Sequence, residues 1–214
     1  MNLIKQQFLE AKNLLESFLA DETQLEHIKQ AGIMMAVAIR NGHKIISCGN
    51  GGSMCDAMHF AEELSGLFRE ERRALPAIAI SDPSHLTCAG NDYGFEAIFS
   101  RFIEAIGQPG DILLVISTSG NSDNVVNAAR EAKSKGMKVV GLTGKTGGKL
   151  AGLCDLEIRA PHSEYSDRIQ EIHIIIIHSI ITMVENELAK GKVNRVKNQV
   201  PATRTKVVRI KTRQ

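Results

Sequence analysis

The sequence predicts a doubly wound α/β fold: five parallel strands covered by helices on both faces, preceded by further helices at the N-terminus. Three observations carry that reading. Short, mostly apolar runs recur at 43–48, 76–81, 111–117, 137–143 and 155–159, most of them separated by helical stretches; this is the pattern of strands buried on both sides of a parallel sheet. The runs end in clusters of Gly, Ser, Thr, Asn or Asp, and in such folds ligands bind beyond the carboxyl ends of the strands. Before any strand, the first forty residues read as two helices.

In the first helix Ile4, Phe8, Ala11, Leu15 and Phe18 recur at spacings of four and three, a narrow coiled-coil-like seam that needs a partner helix. Asp21-Glu22-Thr23 opens a second helix to about Arg40, and Asn41-Gly42 closes it. The first strand runs into Gly49-Asn50-Gly51-Gly52; no Pro or Gly follows until Gly66, so Ser53 falls at the expected helix N-cap. Later strands end in Asp82-Pro83-Ser84, in Ser117-Thr118-Ser119-Gly120-Asn121-Ser122 and in Thr143-Gly144-Lys145. The last helix, expected over 167–189, is apolar nearly all round in its middle and so belongs in a core or between subunits.

At 214 residues with 43% apolar content, the chain can bury a core as a single domain. Its four cysteines form no C-x-x-C pair, and its first residues carry acids and amides where a signal peptide needs an apolar block. A reduced, cytoplasmic protein is expected. The apolar run around Ile174–Ile177 is broken by His173, His178, Ser179 and Thr182, shorter than the roughly 20 residues needed to cross a bilayer. Of 26 basic residues, eight lie in 192–214, which holds no acid; the remainder has 18 basic against 24 acidic residues, or −6. The expected division is a domain over 1–191 and a flexible basic tail over 192–214. Such a tail is usually only solvated, but a Lys/Arg cluster also leaves nucleic-acid contact open.

The loop at 117–122 offers four hydroxyls and a glycine ahead of the helix opening at Asp123. Helix capping accounts for one or two hydroxyls; four point to phosphate held at a helix N-terminus. The glycine turn at 49–52 likewise presents bare N–H groups to an anionic or hydroxyl-rich ligand. Beyond it, His59 and Glu63 share one helix face, a spacing that serves a solvated pair as well as a metal site. The last helix contains Gln170, His173 and His178. A buried imidazole needs a partner, either a core hydrogen bond or a metal. If His178 meets His59 and Glu63, two histidines and an oxygen ligand suit zinc. Gln170 and His178 lie about 80° apart around the helix, so one site reaches both only at the edge of both faces.

The segments SCGNGGSxCDAMHFAEEL, PAIAISDxSH, GNDxGF, ISTSGNS, LTGKxGGKxAG and DRIQEIHIxxIH occur in this order. On these motifs residues 1–191 closely resemble the bacterial phosphoheptose isomerases (sedoheptulose 7-phosphate isomerases) of the SIS-domain superfamily. The resemblance implies an aldose-ketose isomerase that makes D-glycero-D-manno-heptose 7-phosphate for lipopolysaccharide core, acting as a homotetramer with one zinc per subunit. It implies His59, Glu63, Gln170 and His178 as zinc ligands, and Glu63 and His178 as the acid/base pair. It places the sugar against Asn50, Gly51, Gly52, Asn91 and Asp92, with Glu63 and Gln170 also touching substrate, and the phosphate against Ser53, Ser117, Thr118, Ser119 and Ser122. Met54 stands where many relatives have His. Leu67 stands where they commonly have Arg, a cation for which Arg69 or Arg72 is a candidate substitute. The rival within the superfamily is a non-catalytic protein that binds a replication initiator or senses a sugar phosphate. Initiator-associating relatives lack the second ligand histidine and much of the HFAEE face, and this chain has both.

Overall fold

The computed structural model describes residues 2–196. Two helices, α1 (Asn2–Leu19) and α2 (Glu22–Arg40), precede β1 (Ile45–Gly49) and α3 (Gly52–Ser65). There follow β2 (Ala77–Ala79), α4 (Pro83–Tyr93), a 3₁₀ turn at Phe95–Ala97, α5 (Ile98–Ile106), β3 (Ile112–Ser117) and α6 (Asp123–Ser134). The chain continues through β4 (Lys138–Thr143), the short α7 (Gly148–Ala151), β5 (Leu156–Arg159) and α8 (Ser166–Val196). The strands pair in parallel in the order β2-β1-β3-β4-β5, with Ile45 opposite Ile112 and Ser117 opposite Thr143. The expected doubly wound sheet is therefore present, its strands starting one or two residues later than the apolar runs, with β1 reaching one residue further, to Gly49. β2 shortens most, as befits an edge strand with one partner.

Alternation sorts the buried strand residues onto two cores. Ile45, Ile112, Leu114, Ile116, Val140 and Leu142 face α2, α3 and α8, whereas Ile46, Cys48, Leu113, Val115 and Val139 face α4, α5 and α6. Met54 packs against the second core, so at this position an apolar side chain fills space. Gly32 lets α2 press on α8, since a Cβ there would meet Met183 Cβ at 2.4 Å.

Local chemistry sets most helix ends. Asp21 caps α2 by accepting from the Thr23 and Gln24 N–H groups. At α3 the expectation is corrected: the N-cap is Gly51, with φ of 55°, and Ser53 lies in the first turn, buried. Glycine tolerates that left-handed backbone without strain, and serine does not. In α1 only the C-terminal half of the apolar seam finds a partner. Phe18 is buried and Leu14 and Leu15 pack on the core, but Ile4 and Phe8 are 62% and 74% exposed.

α8 runs past the expected end at residue 189 and across the 191/192 boundary to Val196; the basic stretch beyond lies outside the described residues. By length and composition alone the segment Ser166–Lys190, with a mean hydropathy of 1.4, is sufficient to cross a bilayer. Its apolar content instead serves the core: Ile172, Ile176, Ile177, Ile180, Ile181 and Val184 are buried against α2, α3 and the sheet.

His173 belongs to this core and not to the site. Its ring is fully buried, Nε2 donates to the Thr143 carbonyl at 2.9 Å, and Nδ1 has no partner among the described residues. Burial pushes its pKa down from 6.5 to about 4, the carbonyl hydrogen bond opposing the shift. The unfolded chain thus binds more protons between those values, so stability falls as pH drops through that window, by up to about 3 kcal/mol. Urea titrations of wild type and His173→Asn at pH 7 and pH 4 test this. The stability difference should shift by a few kcal/mol in favour of the variant at low pH, whereas the same difference at both pH values would refute it.

Candidate active site

The strand order creates a crevice between β1 and β3, because the chain leaves these neighbours toward opposite edges of the sheet. The glycine turn 49–52 and the hydroxyl loop 117–122 are the two lips of that crevice, one before α3 and the other before α6. Asn50 and Asn124 join them through reciprocal amide hydrogen bonds, both 2.9 Å. Asn124 is buried and also accepts from the Val125 N–H. The loop is braced internally. Ser117 Oγ accepts from the Gly120 N–H at 3.1 Å, Ser119 Oγ from the Asn121 N–H at 3.2 Å, and Thr118 Oγ1 lies 3.3 Å from Ser166 Oγ. Ser122 is the N-cap residue of α6, but its side chain makes no capping bond. That hydroxyl and the N–H groups of Asp123 and Asn124 thus remain for an anion, as they do in phosphate sites at helix N-termini.

Farther along α3 is a second constellation. Glu63 Oε1 lies 3.1 Å from His59 Nε2 and 3.7 Å from His178 Nε2. One donor atom from each residue falls within 4.8 Å of the others. Donors around tetrahedral zinc at about 2.1 Å sit about 3.4 Å apart, so small rotations bring these three onto one ion. The Glu63 side chain is only 12% exposed, yet its Oε2 is buried with no partner among the described residues, a costly state for a carboxylate that lacks a cation or proton. The donor set thus fits a metal and leaves a coordination position open. Phe68 stacks on the His178 ring, with centroids 5.8 Å apart and the planes 22° from parallel. Asp56, one turn before His59, has its pKa pushed up to about 6 by burial, while His59 pulls it back.

The SIS-domain family model matches residues 7–144. A phosphoheptose isomerase from Tolumonas auensis is 57% identical over 187 residues, which is 87% of this chain and 97% of that protein. The structure of the phosphoheptose isomerase from Neisseria gonorrhoeae superimposes with a TM-score of 0.81 at 39% identity, covering 86% of this chain and 98% of that one. That from Francisella tularensis gives 0.82 at 38%, covering 86% and 97%. The chain belongs to the phosphoheptose isomerases of the SIS-domain family. The fold and the isomerase class expected from the motifs thus stand.

Not every residue that the family resemblance implies converges within one chain. His59, Glu63 and His178 do; Gln170 does not. Its amide abuts Gly52, where an added Cβ would meet Oε1 at 2.5 Å. It lies eight residues, about 12 Å of helix rise, from His178. Gln170 therefore stands at the crevice. Asn91 and Asp92 are exposed in the last turn of α4, where their side chains pair with each other at 2.7 Å and Cys88 Sγ approaches Asp92 at 3.5 Å. Leu67 is 60% exposed. Of the two candidate replacement cations, Arg72 is held at the end of α3. Arg69 instead lies over the Phe68 ring, 5.1 Å from its centroid, and lines a cavity of about 540 Å³ beside His178 together with Lys29, Ser179 and Thr182.

The sequence reading missed Asn124, Phe68 and the role of Arg72. Asn124 carried a usable signal, a polar residue one position into the helix after the hydroxyl loop. Nothing in the run REERR at 69–73 distinguishes the arginine that turns inward.

Proposed function

We propose that the chain interconverts sedoheptulose 7-phosphate and D-glycero-D-manno-heptose 7-phosphate with the help of one zinc ion. The observation that carries this reading is the convergence of two imidazoles on one largely buried carboxylate whose second oxygen has no partner among the described residues. The phosphate is assigned to Ser117, Thr118, Ser119 and Ser122, with Ser53 across the crevice, and the sugar hydroxyls to Asn50, Gly51, Gly52 and Gln170. Asn91 and Asp92 are assigned to the sugar on family resemblance alone. From Ser53 to His59 the helix rises about 9 Å, a span suited to an extended sugar whose phosphate sits at one end and whose carbonyl at the other.

Isomerisation from ketose to aldose removes a proton from C1 and returns one to C2, while O2 gains a proton and O1 loses one. Glu63 carries the carbon-bound proton, its Oε1 lying beside both imidazoles. His178 handles the oxygen-bound proton. A divalent cation held by His59, Glu63 and His178 would polarise the carbonyl and stabilise the charge that develops on oxygen. A ring nitrogen that holds a cation has no proton to give, so His178 would serve proton transfer only when free of the cation. As the fourth zinc ligand, Gln170 would come from a second copy, consistent with a homotetramer in which Ile4 and Phe8 of α1 are covered. The reading further places the protein in the cytoplasm, supplying heptose for lipopolysaccharide core.

A coupled assay of sedoheptulose 7-phosphate isomerisation tests the assignment. Chelator should abolish activity and added zinc restore it, and His178→Gln should lower kcat about 100-fold or more with the fold intact. Full activity after exhaustive chelation would remove the metal from the mechanism, and full activity in His178→Gln would remove the acid/base role.

A further inference from the structure

We infer that Arg72 is a positioning residue for the metal cluster, holding α3 and α8 in the relative placement that brings Glu63 between His59 and His178. The inference rests on reading those three side chains as metal donors. The Arg72 side chain is only 9% exposed. Its Nη2 donates to the Glu63 carbonyl at 2.6 Å, its Nη1 to the Leu64 carbonyl at 2.8 Å, and its Nε to Glu185 Oε1 at 2.6 Å. Two of these partners are carbonyls near the C-terminal end of α3, where such groups lack intrahelical donors and a cation is favoured by the helix dipole. The third is a carboxylate of α8, itself only 13% exposed.

Position makes this more than a helix cap. One bond ends on the backbone of Glu63, the residue whose carboxylate both imidazoles approach. Another ends on Glu185, two helical turns beyond His178 and on nearly the same face. A single planar guanidinium therefore ties the backbone of one donor to the helix of another. A planar fork of five N–H donors meets three such acceptors at fixed angles; an ammonium on a flexible stem does not hold them in this way. Arg72 is correspondingly unavailable as a replacement for the cation missing at Leu67. Supporting contacts of this kind matter because a site built from separate elements needs its donors placed within about 0.5 Å.

The test uses the full-length chain freed of metal. Zinc affinity is measured by competition with a chromophoric chelator, and the donor geometry is followed through the visible spectrum of the cobalt-substituted protein. Arg72→Met, which keeps the apolar stem, should weaken zinc binding about 10- to 100-fold, the usual effect of removing a supporting contact, and alter the cobalt spectrum. Arg72→Lys and Glu185→Gln should fall between it and wild type. Ile180→Val, a core change in α8 away from the clamp, controls for lost stability and should bind zinc like wild type. Wild-type affinity and spectrum in folded Arg72→Met, or an equal loss in Ile180→Val, would overturn the inference. If Arg72→Met does not fold, Arg72→Lys and Glu185→Gln decide the matter by the same outcomes. If the wild-type protein itself binds no zinc, the metal reading fails, and this inference with it.

Discussion

Replacing Glu63 by Gln is expected to lower kcat for sedoheptulose 7-phosphate isomerisation by about 10²- to 10⁴-fold, the range associated with loss of a positioned general base. The substitution is nearly isosteric and replaces a carboxylate by a neutral amide, so it also weakens zinc binding. Its effect on folding runs the other way. Glu63 Oε2 is buried with no partner among the described residues, and a buried polar oxygen without a hydrogen bond is destabilising, more so when charged; the metal-free variant should thus melt at the same temperature as metal-free wild type or higher. Lost activity with retained or improved stability separates a catalytic role from a structural one. Steady-state kinetics beside thermal melts of the metal-free proteins provide the check. A variant that keeps more than about a tenth of wild-type kcat would be incompatible with Glu63 as the base.

Gly120→Ala should damage both stability and substrate affinity. Gly120 lies in the hydroxyl loop at φ of 65°, and an added Cβ would sit 1.9 Å from the Gly147 carbonyl oxygen. Its own N–H bonds to Ser117 Oγ, and its carbonyl accepts from the Leu150 N–H at 3.0 Å. The turn is therefore clamped between the β3 end and α7, with no flexible side chain to move aside. The left-handed backbone costs an alanine about 1–2 kcal/mol, and forced displacement of packed backbone adds about 1–3 kcal/mol. Displacing the loop also moves Ser119 and Ser122, so KM for the phosphosugar should rise about tenfold or more, the effect of losing over 1.4 kcal/mol of binding. Gly152→Ala is the matched control, since φ there is −71° and no atom of the described residues lies within 4 Å of the added carbon. Wild-type melting temperature and KM in Gly120→Ala would show that the loop is not the phosphate site.

The parallel sheet was legible because each strand is buried on both faces and so is written as an uninterrupted apolar run. The polar strand ends were legible for the complementary reason, that ligands in this architecture meet the chain where those runs stop. The N-cap of α3 was misread because Ser53 fits the local preference, whereas the left-handed backbone forced by the turn selects Gly51. The exposed Ile4 and Phe8 were readable as a seam awaiting a partner. The core role of His173 was one of two readings left open, and only the position of the Thr143 carbonyl decides it.

By itself, then, the sequence determined the fold class, the helix and strand order, the family, and the two chemically loaded segments at 49–63 and 117–122. These are properties of local periodicity, of turn chemistry and of motifs contiguous in the chain. Tertiary structure alone decided that His59 and Glu63 meet His178, that Gln170 stands at the crevice and not beside them, and that Arg72 turns inward to join two helices. Each depends on the relative placement of α3 and α8, elements about a hundred residues apart in the chain. That placement is set by close packing across the shared core, which no local pattern encodes.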